Sequence, residues 1–263
     1  MLKARVITAL LLIAGFMAVL FLLPPNLAGF VFVIVAALGA WEWAGLMQAG
    51  PRARALFVGL VIFSCLAAWA GPADAFLLLW SVAALFWVVV APLWLLRGWR
   101  LGSMGFVIGW ILLVPTWAAL VSLHGRNPQL LLAVMATVWV ADIAAYFTGR
   151  TLGRHKLAPT ISPGKTWEGV AGAMVGAVLF GVAASVILPA LPAINMAALT
   201  GFLLLFITLS IMGDLFESLV KRQAGMKDSS QLLPGHGGIL DRIDSLTSTL
   251  PLAALCLYWW AGQ

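Results

Sequence analysis

The chain has 263 residues, 63% of them hydrophobic and only 9% charged, with a mean hydropathy of +1.07. These values exclude an ordinary soluble domain and indicate a polytopic membrane protein. The formal net charge of +6 and pI near 9.9 would suit a nucleic-acid binder only if the cations lay together on a soluble face. Here they are spread among apolar runs.

Runs long enough to span, about 17 to 25 residues each, fall at 6–23, 27–46, 55–70, 75–96, 103–123, 129–149, 167–189, 196–217 and 246–262. The expected fold is therefore all-α, with about nine transmembrane helices. The first run follows Lys3 and Arg5 and could pass for a signal peptide. Its apolar core, about 18 residues, exceeds the usual 7 to 15, and no A-x-A-like site precedes Pro24, so it reads as a span. Trp41 and Trp43 bracket Glu42 at the end of the second run, and an interfacial belt accounts for all three.

Pro92 and Pro115 predict kinks in the fourth and fifth spans. In the seventh, Gly169, Gly172, Ala173 and Gly176 give small-xxx-small spacing, which suits internal packing or a dimer seam. Cys65 and Cys256 sit alone in apolar runs and read as small buried hydrophobes.

With nine spans and a cytoplasmic N-terminus, 14 of the 15 basic residues fall on the cytoplasmic side, and Arg126 alone faces out. The long cytoplasmic segments are 150–166 and 218–245, so residues 1–128 form five N-terminal helices and 129–263 carry the chemistry. Five of the nine acids lie within the 31 residues from Asp214 to Asp244. Two carboxylates brought to ~4 Å repel by about 4 kcal/mol at an effective dielectric of ~20. Lys221, Arg222, Lys227 and Arg242 relieve part of that, and a divalent cation relieves more while leaving charge for an anionic ligand.

Asp142 lies inside the sixth apolar run, where a carboxylate costs about 2.5 to 3.5 kcal/mol and marks function more often than not. Asp214, Glu217, Ser218 and Lys221 share one face of the eighth helix as it leaves the membrane. Asp214 arrives early enough on that helix to suggest a metal ligand. Asp241 and Asp244, three residues apart, present two carboxylates together at the start of the ninth; helix capping competes with ligation more strongly at Asp244 than at Asp241. Pro234-Gly235-His236-Gly237-Gly238 supplies backbone for an anion nest, and His236 a phosphate donor. Ser162-Pro163-Gly164-Lys165-Thr166 resembles a phosphate-binding turn with Lys165 as its cation, although Thr166 capping the seventh helix explains it equally well.

The run from Ser218 through Lys221-Arg222, Lys227-Asp228, Pro234-x-His236-Gly237-Gly238 and Asp241-Arg242-x-Asp244 resembles the signature of the phosphatidate cytidylyltransferases, or CDP-diacylglycerol synthases. The resemblance continues upstream through Asp142-x-x-Ala145-Tyr146, Gly149-Arg150, Lys156-Leu157-Ala158-Pro159 and Ser162 to Gly169, and reaches Trp41-Glu42-Trp43 and Pro24-Pro25. It implies CMP transfer from CTP to phosphatidic acid with release of pyrophosphate, Mg2+ dependence, and an active site at the cytoplasmic face of the inner membrane. It further implies a homodimer and leaves room for a second, monovalent cation. On that likeness Asp214 and Asp241 hold the metal with Asp228 and Asp244 in support, and Ser162, Lys165, Lys221, Arg222, Lys227, His236 and Arg242 meet phosphates. Two rivals are a CDP-alcohol phosphotransferase, whose D-G-x2-A-R signature is missing, and a cation-coupled transporter, which would line both halves of the chain with polar groups.

Overall fold

Apolar runs broken by Pro, Gly and Asn dictate the helices, because backbone polar groups in hydrocarbon must be satisfied within the segment. The computed structural model describes residues 2–72, 74–187 and 195–261. Its helices are α1 (Leu2–Leu22), α2 (Pro25–Leu46), α3 (Pro51–Ala70), α4 (Asp74–Arg97), α5 (Gly105–Arg126), α6 (Pro128–Leu152), α7 (Trp167–Ile187), α8 (Met196–Gln223) and α9 (Leu240–Ala261). Seven of them, α2 to α8, are long and apolar enough to cross a membrane; Val6–Leu22 within α1 is shorter, and α9 is more polar at its start. Each expected run coincides with a helix, and positions 188, 189 and 262 lie outside the described residues.

Pro sits at the first helical positions of α2, α3 and α6, where its missing N–H costs nothing, and Asn127 caps α6 by accepting from Gln129 N and Leu130 N. The irregularity expected near Pro92 is a π-helical turn, Phe86–Val90, inside α4. Pro251 in α9 cannot donate to Thr247, so the freed Thr247 carbonyl accepts Trp87 Nε1 at 2.9 Å and ties α9 to α4.

A two-stranded antiparallel hairpin was not anticipated in the 150–166 segment. It pairs β1 (Lys156–Ala158) with β2 (Ser162–Thr166). Glu168, at the start of α7, clamps its root by accepting from Arg154 N at 3.1 Å and facing His155 Nδ1 at 2.7 Å.

Internal packing accounts for the small residues of α7. A Cβ at Gly172 would strike Thr148 and the Ala144 carbonyl, and one at Gly176 would strike Ala144, all on α6. The two backbones therefore run in contact, which fixes the hairpin between them against α6. Gly176→Leu should lower the melting temperature through overpacking worth about 1–3 kcal/mol, whereas Gly59→Leu on α3, where a Cβ meets nothing within 4 Å, should not. Equal melting of the two variants would remove the seam.

Candidate active site

The C-terminal ends of α6 and α8, the N-terminal ends of α7 and α9, and the hairpin enclose a cavity of about 730 Å³. Asp142, Asp214, Asp241 and Asp244 line it together with Ser162 and Lys165. Six of the sequence-derived candidates thus meet in one place although they are spread over more than one hundred residues. Lys165 Nζ lies 2.7 Å from Asp214 Oδ2, which pins the hairpin to α8, and Ser218 Oγ donates to Asp214 Oδ1 at 3.3 Å.

Several candidates lie off the cavity wall. Lys221 bridges Glu217 Oε2 at 2.8 Å and Asp241 Oδ1 at 2.6 Å, so its charge joins α8 to α9. Arg222 is exposed and reaches the hairpin carbonyl of Ile161 at 3.4 Å, while Lys227, Asp228 and Arg242 are exposed. His236 is half-buried, with Nδ1 enclosed and without a partner.

The capping expectation for the two aspartates is reversed. Asp241 Oδ2 accepts from Gly238 N at 2.8 Å, Ser229 N at 2.9 Å and Ser229 Oγ at 2.9 Å. Asp241 is therefore the residue that closes the helix start, and the N–H expected to bind a foreign anion at Gly238 serves this carboxylate instead. Left-handed Gly235 and Gly237, each with φ of 77°, let the turn fold back in this way. Burial pushes the Asp241 carboxyl up, but the hydrogen bonds from Lys221 and Gly238 and the lysine charge outweigh it and hold the group below its usual range. Asp244, with Oδ1 accepting from its neighbour Ser245 N, is left facing the cavity.

Glu42 is a correction to the interfacial reading. It is only 3% exposed and accepts Ser230 Oγ at 2.6 Å, Leu240 N at 2.8 Å, Ile239 N at 2.9 Å and Ser229 Oγ at 3.1 Å. Trp43 beside it is fully buried and donates Nε1 to Gly105 O at 2.7 Å. An anion from α2 thus caps α9 from nearly two hundred residues away, at the positive end of the helix. Arg150, Lys156 and Tyr146 also line the cavity and were not among the expected site residues. The cost of a carboxylate at the end of an apolar run, applied above to Asp142, applies equally to Glu42; Arg150 lies two turns beyond Asp142 on the same helix.

Oxygen donors suited to a divalent ion face this volume from Asp142, Asp214 and Asp244. Among the described residues no three acidic, histidine or cysteine side chains form a closed metal cluster. Asp241 fits less well, since its oxygens accept four protein donors, Lys221 Nζ, Gly238 N, Ser229 N and Ser229 Oγ, against two at Asp214.

The model described as the cytidylyltransferase family matches residues 3–260. The chain belongs to that family. It is 42% identical over 274 aligned residues to the phosphatidate cytidylyltransferase of Pseudomonas aeruginosa, covering 100% of this chain and 98% of that protein. The Haemophilus influenzae protein of the same name is 37% identical over 281 residues, covering 95% and 96%. The Escherichia coli uncharacterized protein YnbB is 39% identical over 173 residues, covering 65% of this chain and 52% of that protein. These cytidylyltransferase alignments to the first two relatives run nearly end to end, so Glu42 and the hairpin belong to the matched region as much as the C-terminal motif does.

Glu42→Ala should deprive three buried or half-buried donors, Ser230 Oγ, Ile239 N and Leu240 N, of their acceptor, at about 1–3 kcal/mol for each one left unmet, while Ser229 Oγ keeps Asp241. The expected result is a lower melting temperature and faster tryptic cleavage after Lys227. Wild-type melting and cleavage in this variant would show that the 228–240 segment is held by other means.

Proposed function

We propose that this chain transfers CMP from CTP to phosphatidic acid, giving CDP-diacylglycerol and pyrophosphate in phospholipid biosynthesis. The supporting observation is the cavity that gathers Asp142, Asp214, Asp244 and Lys165 where apolar helices end. A nucleotide from water and a phosphate whose lipid stays in the bilayer can meet only at such a level. Family membership and the names of the relatives support these substrates.

In this reading a lipid phosphate oxygen attacks the α-phosphorus of CTP, the new P–O bond forms, and the bond to the β-phosphate oxygen breaks with pyrophosphate as leaving group. The attacking oxygen is already anionic at neutral pH, so alignment and charge neutralisation suffice and no general base is needed. Magnesium bound at Asp214 and Asp244, with Asp142 nearby, would supply electrostatic stabilisation of the phosphates. Lys165 exchanges its ion pair with Asp214 for a triphosphate oxygen, which frees that carboxylate at the same moment. Ser162, on the same strand, donates a hydrogen bond. Asp241, Lys221 and Glu217 hold the helix ends in register.

The reading includes nine spans, counting α1 and α9, in the inner membrane. The topology puts the helix ends carrying Arg52, Arg97, Arg150 and Lys221, and the hairpin carrying Lys165, at the end of the bundle that holds the cavity, and Arg126 at the other. By the positive-inside rule that end and the N-terminus are cytoplasmic. A homodimer and a second, monovalent cation complete the proposal on family likeness alone.

Purified protein given CTP, phosphatidic acid and Mg2+ should form the nucleotide-lipid, and EDTA should abolish this. Asp214→Asn and Asp244→Asn should each lower kcat by about tenfold or more, equivalent to about 1.4 kcal/mol of barrier, with the variants still monodisperse in detergent. Near-normal turnover in both would eliminate the ligand assignment. Lys165→Ala should raise the apparent KM for CTP; an unchanged value would limit the lysine to fastening the hairpin.

A further inference from the structure

Three cations line the cavity, and they are not equivalent. Lys165 is neutralised by Asp214. Arg150 and Lys156 have no carboxylate partner among the described residues, although four aspartates share the same lining. Arg150 ends α6 and is held there by a neutral group, its Nη1 donating to Tyr146 Oη at 2.7 Å while the guanidinium carbon lies 5.9 Å from the centre of that ring. Lys156 opens β1, directly across the hairpin from Thr166.

We infer that Arg150 and Lys156 form a receiving site for the phosphomonoester of the lipid substrate, separate from the Lys165 side that takes the nucleotide. This inference rests on the reaction proposed above and adds which residues hold which substrate. The surroundings of Arg150 favour the lipid. Ile143, Tyr146 and Phe147 on the same helix are all more than half exposed, at 58%, 56% and 61%, which on a spanning helix is a surface for hydrocarbon. A lipid lying against them carries its phosphate to the helix end, where Arg150 stands. The planar guanidinium, oriented by Tyr146, can make paired hydrogen bonds to a phosphate, and the ammonium of Lys156 adds a second point charge. Asp214 and Asp244 come from α8 and α9, so these two carboxylates face the two cations from different walls, while Asp142 shares α6 with Arg150. Such a division would set the attacking oxygen against the α-phosphorus.

The test uses the full chain in detergent, with dioctanoyl phosphatidate as the lipid probe and two readouts. Steady-state kinetics with both substrates varied should show the KM for phosphatidate rising about tenfold or more in Arg150→Ala and in Lys156→Ala, as for loss of a charge-assisted contact, with the KM for CTP within about twofold of wild type. Arg150→Lys should recover part of the loss, because the charge stays while the fork is lost. Native mass spectrometry without CTP should show dioctanoyl phosphatidate, but not dioctanoylglycerol, bound to wild type and lost from the double variant. A rise confined to the KM for CTP would assign these cations to the nucleotide and overturn the inference. No change in either KM, with phosphatidate still bound by the double variant, would reduce them to interfacial anchors. If wild type formed no nucleotide-lipid at all, the reaction would fall, while the binding comparison would still decide the site.

Discussion

One buried chain of charges sets the geometry of everything around it: Glu42, Ser229, Asp241, Lys221 and Glu217, linked in that order by contacts of 2.6 to 3.1 Å. Three carboxylates around one lysine are unfavourable unless their oxygens find donors, because desolvating each charge costs several kcal/mol. The donors are backbone N–H groups at Ser229, Gly238, Ile239 and Leu240 and the two serine hydroxyls, all of which come from the 229–240 segment. Apart from the Leu233–Gly237 bridge and Leu240 at the start of α9, that segment has no regular structure, so the network anchors it to the helices. The network cannot be satisfied unless α2, α8 and α9 meet at one level, and their meeting leaves Asp214 and Asp244 facing the same space. Among the described residues, Glu217 Oε1 is the one side-chain oxygen left buried without a partner.

The opposite wall depends on shape instead of charge. Gly169, Gly172 and Gly176 let α7 lie against α6 with backbones in contact, and Thr166, whose Oγ1 accepts from Gly169 N at 3.1 Å, starts α7 at the foot of the hairpin. Hairpin position then follows from helix packing, with Glu168 at its root and the Lys165–Asp214 pair at its side. A cation on a strand anchored at one end can reach between two walls. This is why the loosest-looking stretch of the polar sequence, Ser162 to Thr166, supplies part of the cavity wall.

Helix positions were legible in the sequence because hydrocarbon imposes a length and forbids free backbone groups, and Pro24, Gly50, Gly71 and Asn127 mark the breaks. Asp142 and Asp214 were legible for a related reason: charge beside an apolar run is costly and so carries information. The same logic was not carried to Glu42, where two flanking tryptophans suggested a membrane interface; the exposed one, Trp41, fits that role and the buried Trp43 does not. The exchange of roles between Asp241 and Asp244 depends on how Gly235 and Gly237 turn the backbone, which no spacing rule contains. Lys221 looked like a phosphate ligand for want of any view of Glu217 and Asp241 closing on it from two helices. The hairpin escaped because three- and five-residue strands with Pro and Gly inside have no periodicity to read.

The cavity's charge count bears on how two anions can enter it. Its lining carries four aspartates against Arg150, Lys156 and Lys165, so at formal charges it is slightly negative before any substrate arrives. A nucleoside triphosphate and a phosphomonoester would add several more negative charges inside walls that are largely apolar, where repulsion is screened less than in water. Protein cations cannot balance this, since one of the three is already paired and Lys221 is committed outside the wall. For the reaction proposed, cations entering with the nucleotide would restore the balance, and the excess of aspartate would give that positive charge a place. A site built of lysines alone would hold two anionic substrates tightly and would release the anionic products as reluctantly. Supplying part of the charge as a dissociable ion would let the same cavity be attractive to substrates with the ion bound and unattractive to pyrophosphate once it had left.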